Sequence, residues 1–403
     1  MFLSVGVAVW TGAAFVKTFY SKQGGLEHGQ TTLEASRSSS RSAGVWAGFH
    51  GLPPAWAQGK TVTLKVQASW PSGLTLYDNL KMFAERVEKM SAGRLKIEHL
   101  PGGAVVGPFE VLDATNRGVI DGAHTGAAYW VGKHKAAGLL ANCPAGPFGM
   151  DYIDWFGWVY EGGGFELYQE FYQQVLKMKV VAIPILPAGP QALGWFKRTV
   201  KDWEDFKGLK YRIPGIAADV FKEAGVAVVT LPGAEILPAA ERGVIDAAEW
   251  VGGIEDMRLG FHNVWKIHYT PGIHEPATVG DLLLNKDIWD NLPPDLQEII
   301  KVAATEVFFR WMVWFHRQNA EAYKDLIEKH GVQVHKTPDD VLLKFLETWD
   351  EIAAREAQKD AFFKKVLESQ KTYAGLLVPY RLSTWPRYDF AGEYYWKEQV
   401  FLK

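Results

Sequence analysis

The sequence predicts an α/β protein of two similar units, each a mostly parallel sheet flanked by helices, with one long helix beneath both. Three observations predict it. The pentapeptide RGVID occurs twice, at Arg117–Asp121 and at Arg242–Asp246. A strand–helix–strand–helix–strand order leads into and through each copy, which argues for parallel strands with helices on their faces. The segment from Pro293 to His330 keeps helical spacing throughout, and at 1.5 Å per residue it would run roughly 55 Å, more than one unit needs. A chain of 403 residues with 48% hydrophobic residues is also too long for one compact core, so two domains are the default.

Thr61–Ser69 alternates as a strand does. Leu76–Met90 has apolar residues at helical spacing and stops at Ser91-Ala92-Gly93. Arg94–Leu100 is a second strand, Pro108–Thr115 a helix closing on Gly118, and a third strand starts after Asp121. Val180–Leu186 is an apolar strand. The order then returns: strand Gly208–Ile213, helix Ala217–Ala224, strand Val226–Leu231, helix Ala234–Glu241, RGVID, and strand Ala247–Val251. Leu-Pro-Gly also recurs, at Leu100–Gly102 and Leu231–Gly233. The repeated phrase marks one joint in two related units. Its Gly suits a left-handed helix stop, and its Asp is expected to tie down the turn by local hydrogen bonds. Pro338–Val366 reads as a further amphipathic helix, and Thr372–Phe401 is dense in aromatic residues that need a surface to cover. The expected organisation is an export leader or disordered segment over 1–57, a first α/β domain over 58–187 completed by about 276–310, a second over 188–275, the domain-spanning helix over 293–330, and C-terminal helices with an aromatic tail over 338–403 as a possible dimerisation surface.

A net charge of −3 favours neither nucleic acid nor an anionic membrane. The single cysteine, Cys143, excludes an intrachain disulfide. Ala55-Trp56-Ala57 before Gln58 has the small-x-small form of a signal-peptidase site, so export and a mature start near Gln58 are expected. No later apolar run is long enough to span a bilayer.

Four places carry candidate chemistry: Gln191 in PAGPQALGWF, Arg212 in YRIPG, Glu249-Trp250 in EWVGG, and His274-Glu275 before Pro276. The Arg212 fork suits a carboxylate, although an Arg before a Pro-Gly turn also reads as a solvated surface charge. Glu249 and Glu275 lie in apolar company and repel one another. Either each pairs with a basic side chain or a cation sits between them. Gln191 and the Trp250 carbonyl add neutral oxygens, and an all-oxygen set suits Na⁺ or Ca²⁺ over zinc or copper. Adjacent residues on a strand face opposite sides, so with Glu275 turned to the site His274 is expected to point away. The sequence shows no phosphate loop, nucleophile elbow or paired-His motif.

From about Val62 to Lys371 the chain resembles the extracytoplasmic solute-binding proteins of TRAP (tripartite ATP-independent periplasmic) transporters. The marks are the RGVID joints, the Arg of YRIPG, the long helix and Pro147–Met150. PQALGWF, YRIPG, EWVGG and HEP in that order resemble the branch that binds 2-oxo acids or lactate with a metal ion. The resemblance implies a two-domain periplasmic-binding-protein fold with Arg212 clamping the ligand carboxylate. It implies Gln191, Glu249, the Trp250 carbonyl and Glu275 around the cation, and Tyr129 closing over the ligand. It further implies a periplasmic receptor that hands a pyruvate- or lactate-type monocarboxylate to membrane permease subunits, catalyses nothing, and uses its C-terminal helices in a homodimer.

Two other readings compete. A metal-dependent enzyme on 2-oxo acids would use Glu249 or Glu275 as base, but both are committed as ligands. A scaffold whose aromatic tail is its active surface would bind no small acid. Arg212→Ala is expected to abolish binding with the fold intact.

Overall fold

The computed structural model describes residues 61–141 and 143–397. The leader expected over 1–57 lies outside them. The strands are β1 (Val62–Ala68), β2 (Leu95–Leu100), β3 (Gly122–Thr125), β4 (Val180–Pro187), β5 (Gly194–Phe196), β6 (Lys210–Arg212), β7 (Ala227–Val229), β8 (Ala247–Ala248), β9 (Ile267–Thr270), β10 (Val279–Asn285) and β11 (Gln333–Lys336). The described residues form one sheet in the order β2-β1-β3-β10-β4 and a second in the order β11-β9-β5-β8-β6-β7.

Each sheet is mixed where the sequence predicts mostly parallel strands. In the first, β10 runs antiparallel to β3 and β4; in the second, β5 runs antiparallel to β8 and β9. Both are the strands entered directly from the other sheet, with no crossover helix to turn the chain round. The second sheet also takes β11 from beyond the long helix, parallel to β9.

The two RGVID joints have one geometry. Gly118 and Gly243 adopt φ of 71° and 68°, the left-handed stop that glycine tolerates. In one joint Gly118 N–H donates to the Thr115 carbonyl and Val119 N–H to Ala114; in the other Gly243 donates to Ala240 and Val244 to Ala239. This is the Schellman pair of a helix end. The Asp does something other than the expected local turn bond. Asp121 Oδ2 accepts from Lys65 N–H at 2.7 Å and Asp246 Oδ2 from Lys210 N–H at 3.2 Å, each on a neighbouring parallel strand. The carboxylate therefore stands in for the first missing rung of the ladder, and both copies are structural.

The long helix, Pro294–Glu328, has 35 residues, which at 1.5 Å per residue is about 52 Å. It packs on β4 and the helix Thr75–Met90 beside the first sheet, and on the helix Gly253–Leu259 beside the second. Arg86 and Glu306 join it to the helix Thr75–Met90 through paired bonds of 2.7 and 3.1 Å. The helix predicted over 338–366 breaks in two, Asp339–Lys359 and Ala361–Thr384. Asp360 is the break: its backbone is extended and its carboxylate accepts from Phe363 N–H, capping the second helix. No helix among the described residues is long and apolar enough to cross a membrane. The edge strand β4 is closed by glutamine amides. Gln169 bonds both the N–H and the carbonyl of Ala182, and Gln173 donates to the Val180 carbonyl, which blunts an edge open to strange strands.

Asp281 lies on β10 beside a register irregularity and is fully buried. The Tyr172 hydroxyl donates to its Oδ2 at 2.9 Å, and Trp130 donates to that hydroxyl at 3.1 Å. Burial pushes the Asp281 carboxyl up to about 8, with Tyr172 opposing; the unfolded value is about 3.9. A pKa raised by folding gives stability that is complete below about pH 4 and lost as pH rises through about 8. Asp281→Asn removes that loss. Its melting temperature relative to the unchanged protein is expected to climb by about 2 °C or more between pH 5 and pH 9 in thermal unfolding. A pH-independent difference would show that Asp281 does not titrate there.

Candidate functional site

The site lies between the two sheets, beyond the carboxyl ends of parallel strands, where open α/β sheets bind ligands. Arg212 ends β6 and Glu249 follows β8. Because Arg212 pairs with Ala248 in the ladder, Glu249 sits one step past the arginine, and its N–H donates to the Arg212 carbonyl at 3.2 Å. Trp70 follows β1, and Tyr129 lies on the single turn Ala127–Trp130 after β3. Gln191 is in the crossing from β4 to β5, and Glu275 is in the return crossing from β9 to β10. The two crossings touch: Gln191 N–H donates to the Glu275 carbonyl and Gly272 N–H to the Gln191 carbonyl.

All the residues singled out from the sequence for ligand or cation, Tyr129, Gln191, Arg212, Glu249, Trp250 and Glu275, line one cavity of about 60 Å³. A site for a single water needs roughly 10–15 Å³, so the cavity has room for several small groups.

Arg212 is not a solvated surface charge: its exposure is 0%. Nη1 donates to Glu249 Oε1 at 2.5 Å and to the Glu249 carbonyl at 2.9 Å. Nε and Nη2 donate to the Leu231 carbonyl at 3.1 and 2.9 Å. Its guanidinium lies 5.1 Å from the Trp250 ring centre, within cation–π range. The fork is held by two backbone carbonyls and a carboxylate before any ligand arrives. Glu249 thus has the basic partner that was one of its two sequence readings. Burial still pushes its carboxyl up to about 7, with Arg212 pulling it down.

Gln191 Nε2 donates to Glu275 Oε2 at 2.7 Å, and the Thr278 hydroxyl donates to the same oxygen at 3.1 Å. Gln191 Oε1 is a buried acceptor with no hydrogen-bond partner. Among the described residues no three His, Cys, Asp or Glu side chains are grouped to hold a metal. This set is of another kind: two carboxylates, an amide oxygen and a backbone carbonyl. A hard cation such as Na⁺ or Ca²⁺ accepts such donors, and the orphaned Gln191 oxygen is an acceptor in want of one.

As expected, Glu275 lines the cavity and His274 does not, but strand alternation is not the reason. Residues 271–278 are not a strand, so alternation does not apply, and His274 and Glu275 are both buried. His274 Nε2 lies 3.9 Å from Glu249 Oε2, and burial lowers its pKa to about 4.

Several residues that hold the site were not legible one at a time. The Leu231 carbonyl orients Arg212, and Gly233 makes room for Trp250, since a Cβ there would lie 2.6 Å from the indole. Both belong to the second Leu-Pro-Gly, so the repeat was the available signal. Asp256 Oδ1 accepts from Val251 and Gly252 N–H, and Oδ2 from Trp195 at 2.7 Å, which fixes the EWVGG turn. Glu255 crosses between the lobes. Its Oε1 accepts from both the N–H and the hydroxyl of Thr75 at the start of the helix Thr75–Met90, whose N-terminus has no side-chain cap of its own. Trp250 Nε1 is 3.4 Å from Glu255 Oε2, and Arg258 donates to the Gly73 carbonyl at 3.1 Å. A carboxylate on a helix N-terminus is favourable, and here it ties one lobe to the other. Glu255→Ala is expected to destabilise the protein by about 1.5–3 kcal/mol and to speed ligand release in stopped-flow fluorescence. Unchanged release would mean that the contact plays no part in closure.

Two α/β lobes around a small cavity lined by a buried arginine and two carboxylates are the architecture of a solute-binding protein. The chain matches the model of the family DctP, Bacterial extracellular solute-binding protein, family 7, over residues 66–360, and it belongs to that family. It is 35% identical over 343 residues to the monocarboxylate 2-oxoacid-binding periplasmic protein of Nostoc sp., covering 85% of this chain and 90% of the relative. A TRAP transporter solute-binding protein from Bordetella bronchiseptica, a mixed-occupancy dimer with copurified calcium and picolinate, superposes with a TM-score of 0.79 at 27% identity, covering 84% of this chain and 98% of that one. A TRAP periplasmic solute-binding protein from Pseudoalteromonas atlantica with bound sodium and pyruvate gives 0.76 at 32%, covering 85% and 100%. The family and these fold neighbours are solute-binding receptors, not enzymes.

Proposed function

We propose that this protein is the periplasmic receptor of a TRAP transporter, that it binds a small 2-oxo or 2-hydroxy monocarboxylate of the pyruvate or lactate type together with Na⁺ or Ca²⁺, and that it delivers the acid to membrane permease subunits. The observation that carries the reading is the cavity itself. It has room for several small groups, a buried arginine, two buried carboxylates and an orphaned amide oxygen. Arg212 serves the ligand carboxylate. Gln191 Oε1, Glu249, the Trp250 carbonyl and Glu275 hold the cation, and Tyr129 covers the ligand. The cation would supply the positive charge that lets a second anion enter beside Glu275.

The ligands of the two structural neighbours agree with this chemistry. Pyruvate and picolinate each carry a carboxylate with a lone pair two bonds away, on the C2 oxygen or the ring nitrogen, so either chelates a cation in a five-membered ring. The same arrangement in this chain selects a 2-substituted acid over a simple one. The exposed aromatic face of the helices Ala361–Thr384 and Tyr388–Trp396, with Leu382, Tyr388, Tyr394 and Tyr395 each at least 70% exposed, supports a homodimer.

The test is a fluorescence titration of chelator-treated protein with pyruvate, lactate and succinate, each with Na⁺ or Ca²⁺. Trp250 lies in the wall, so closure changes its surroundings. Saturable, cation-dependent binding of the monocarboxylates supports the reading. Folded protein that responds to none of the acids removes it.

A further inference from the structure

The cavity's apolar wall carries a fixed aromatic side chain. Trp70 is 6% exposed and lines the cavity. Its ring centre stands 5.8 Å from that of Tyr129 and 6.4 Å from that of Trp250 across the cleft. Its backbone is pinned on both sides: Ser69 N–H donates to the His124 carbonyl and Gly102 N–H to the Trp70 carbonyl.

The indole is pinned too. Trp70 Nε1 donates to His124 Nδ1 at 2.9 Å, and His124 Nε2 meets Asn79 Oδ1 at 2.9 Å. An indole can only donate, so His124 accepts at Nδ1 and carries its proton on Nε2, which donates to Asn79. His124 and Asn79 both have 0% exposure. Burial keeps the imidazole neutral, with its pKa lowered to about 3, so the relay holds one arrangement at any working pH. Three buried polar side chains in series are costly unless each is satisfied. A lone backbone carbonyl would have served to satisfy one indole N–H. What the relay adds is direction: it fixes the plane of the ring that faces the cavity.

We propose that Trp70, locked by His124 and Asn79, sets the chain length of the acid this cavity accepts, admitting about three carbons and rejecting longer ones. Trp70 is the specificity-determining residue, and His124 is a positioning residue that acts through it. The inference rests on the receptor reading above. Pyruvate's six non-hydrogen atoms and the cation must share a cavity of about 60 Å³ of which the locked indole forms one wall, so little space is left for a longer chain. A further methylene must displace the ring or go unfilled, and a fixed pocket discriminates one methylene by about tenfold or more.

The test is calorimetric titration of the intact chain, in Ca²⁺, with pyruvate, 2-oxobutyrate and 2-oxovalerate. Affinity is expected to fall about tenfold or more per added carbon. Trp70→Leu is expected to flatten the series, and His124→Leu to flatten it in part. His124→Gln is expected to restore the slope, because its amide oxygen can accept from Trp70 while its amide nitrogen donates to Asn79. A flat series in the unchanged protein overturns the proposal without any variant. So does a slope that survives both Trp70→Leu and His124→Leu. If Trp70→Leu does not fold, the unchanged series and the His124 pair decide. Failure of the unchanged protein to bind any of the three acids overturns the receptor reading and this proposal with it. Binding of pyruvate with a flat series overturns the wall alone.

Discussion

Arg212→Ala is expected to lose carboxylate binding by about 100-fold or more and to lower the melting temperature at the same time. The sequence alone suggested that the fold would survive untouched. The structure changes that expectation, because Arg212 is fully buried and its Nη1 is 2.5 Å from Glu249 Oε1. Removing one member of a buried pair leaves the other uncompensated, at about 3–5 kcal/mol. The Leu231 carbonyl loses both of its donors as well. Binding falls for a separate reason: the carboxylate loses the one arginine that lines the cavity among the described residues. Arg212→Lys separates the two effects. A lysine keeps the charge opposite Glu249 but cannot span both carbonyls and the ligand with one ammonium group. Most of the stability should return, while binding stays at least about tenfold weak, the worth of one charge-assisted bond. Thermal unfolding and calorimetry, run on both variants, make the comparison. Tight 2-oxo acid binding by a folded Arg212→Ala protein would sink the clamp.

What the sequence disclosed and what it hid divide along a physical line. Features carried by neighbouring residues were legible. The RGVID joint, with its glycine stop, was readable as a helix end because a Schellman pair needs only residues within one turn. The long helix was readable from its own periodicity. The Leu-Pro-Gly repeat was visible too, though not that Leu231 faces Arg212. Features made by distant partners were hidden. The Asp121 carboxylate bonds Lys65, 56 positions away, and local turn chemistry predicted a nearer partner. Whether Arg212 is solvated or buried depends on Glu249, 37 positions on. That Glu275 and not His274 lines the cavity does not follow from strand alternation, because the return crossing is irregular and its faces follow no period. The antiparallel entry of β5 and β10 follows from which lobe the chain has just left. Five of the six candidate residues stand in motifs that resemble one family and Tyr129 stands in none, and the fold brings all six to one cavity. Trp70 and Glu255 carried no such motif, and only their contacts across the cleft give them a role.

Stripping Na⁺ and Ca²⁺ is expected to weaken 2-oxo acid binding by about 100-fold or more. Arg212 and Glu249 form a pair of zero net charge. Glu275 is buried, at 3% exposure, and its Oε2 accepts from Gln191 and Thr278. A monocarboxylate entering beside it brings a further negative charge among buried side chains, where like charges a few ångströms apart cost several kcal/mol even at an effective dielectric constant near 20. The hydrogen bonds to Glu275 lower that cost. Counting Arg212, both glutamates and the ligand gives a net charge of about −2, which Ca²⁺ cancels and Na⁺ halves. Ca²⁺ should therefore restore the stronger binding of the two. Succinate would add one more negative charge and should bind weakly under either ion. Calorimetry in chelator, then with each ion returned, measures all three expectations. Pyruvate affinity that is equal with and without ions would remove the cation from the site. Gln191 Oε1 and Glu275 would then have to be explained as structural, and the ligand's charge would have to be met by Arg212 alone.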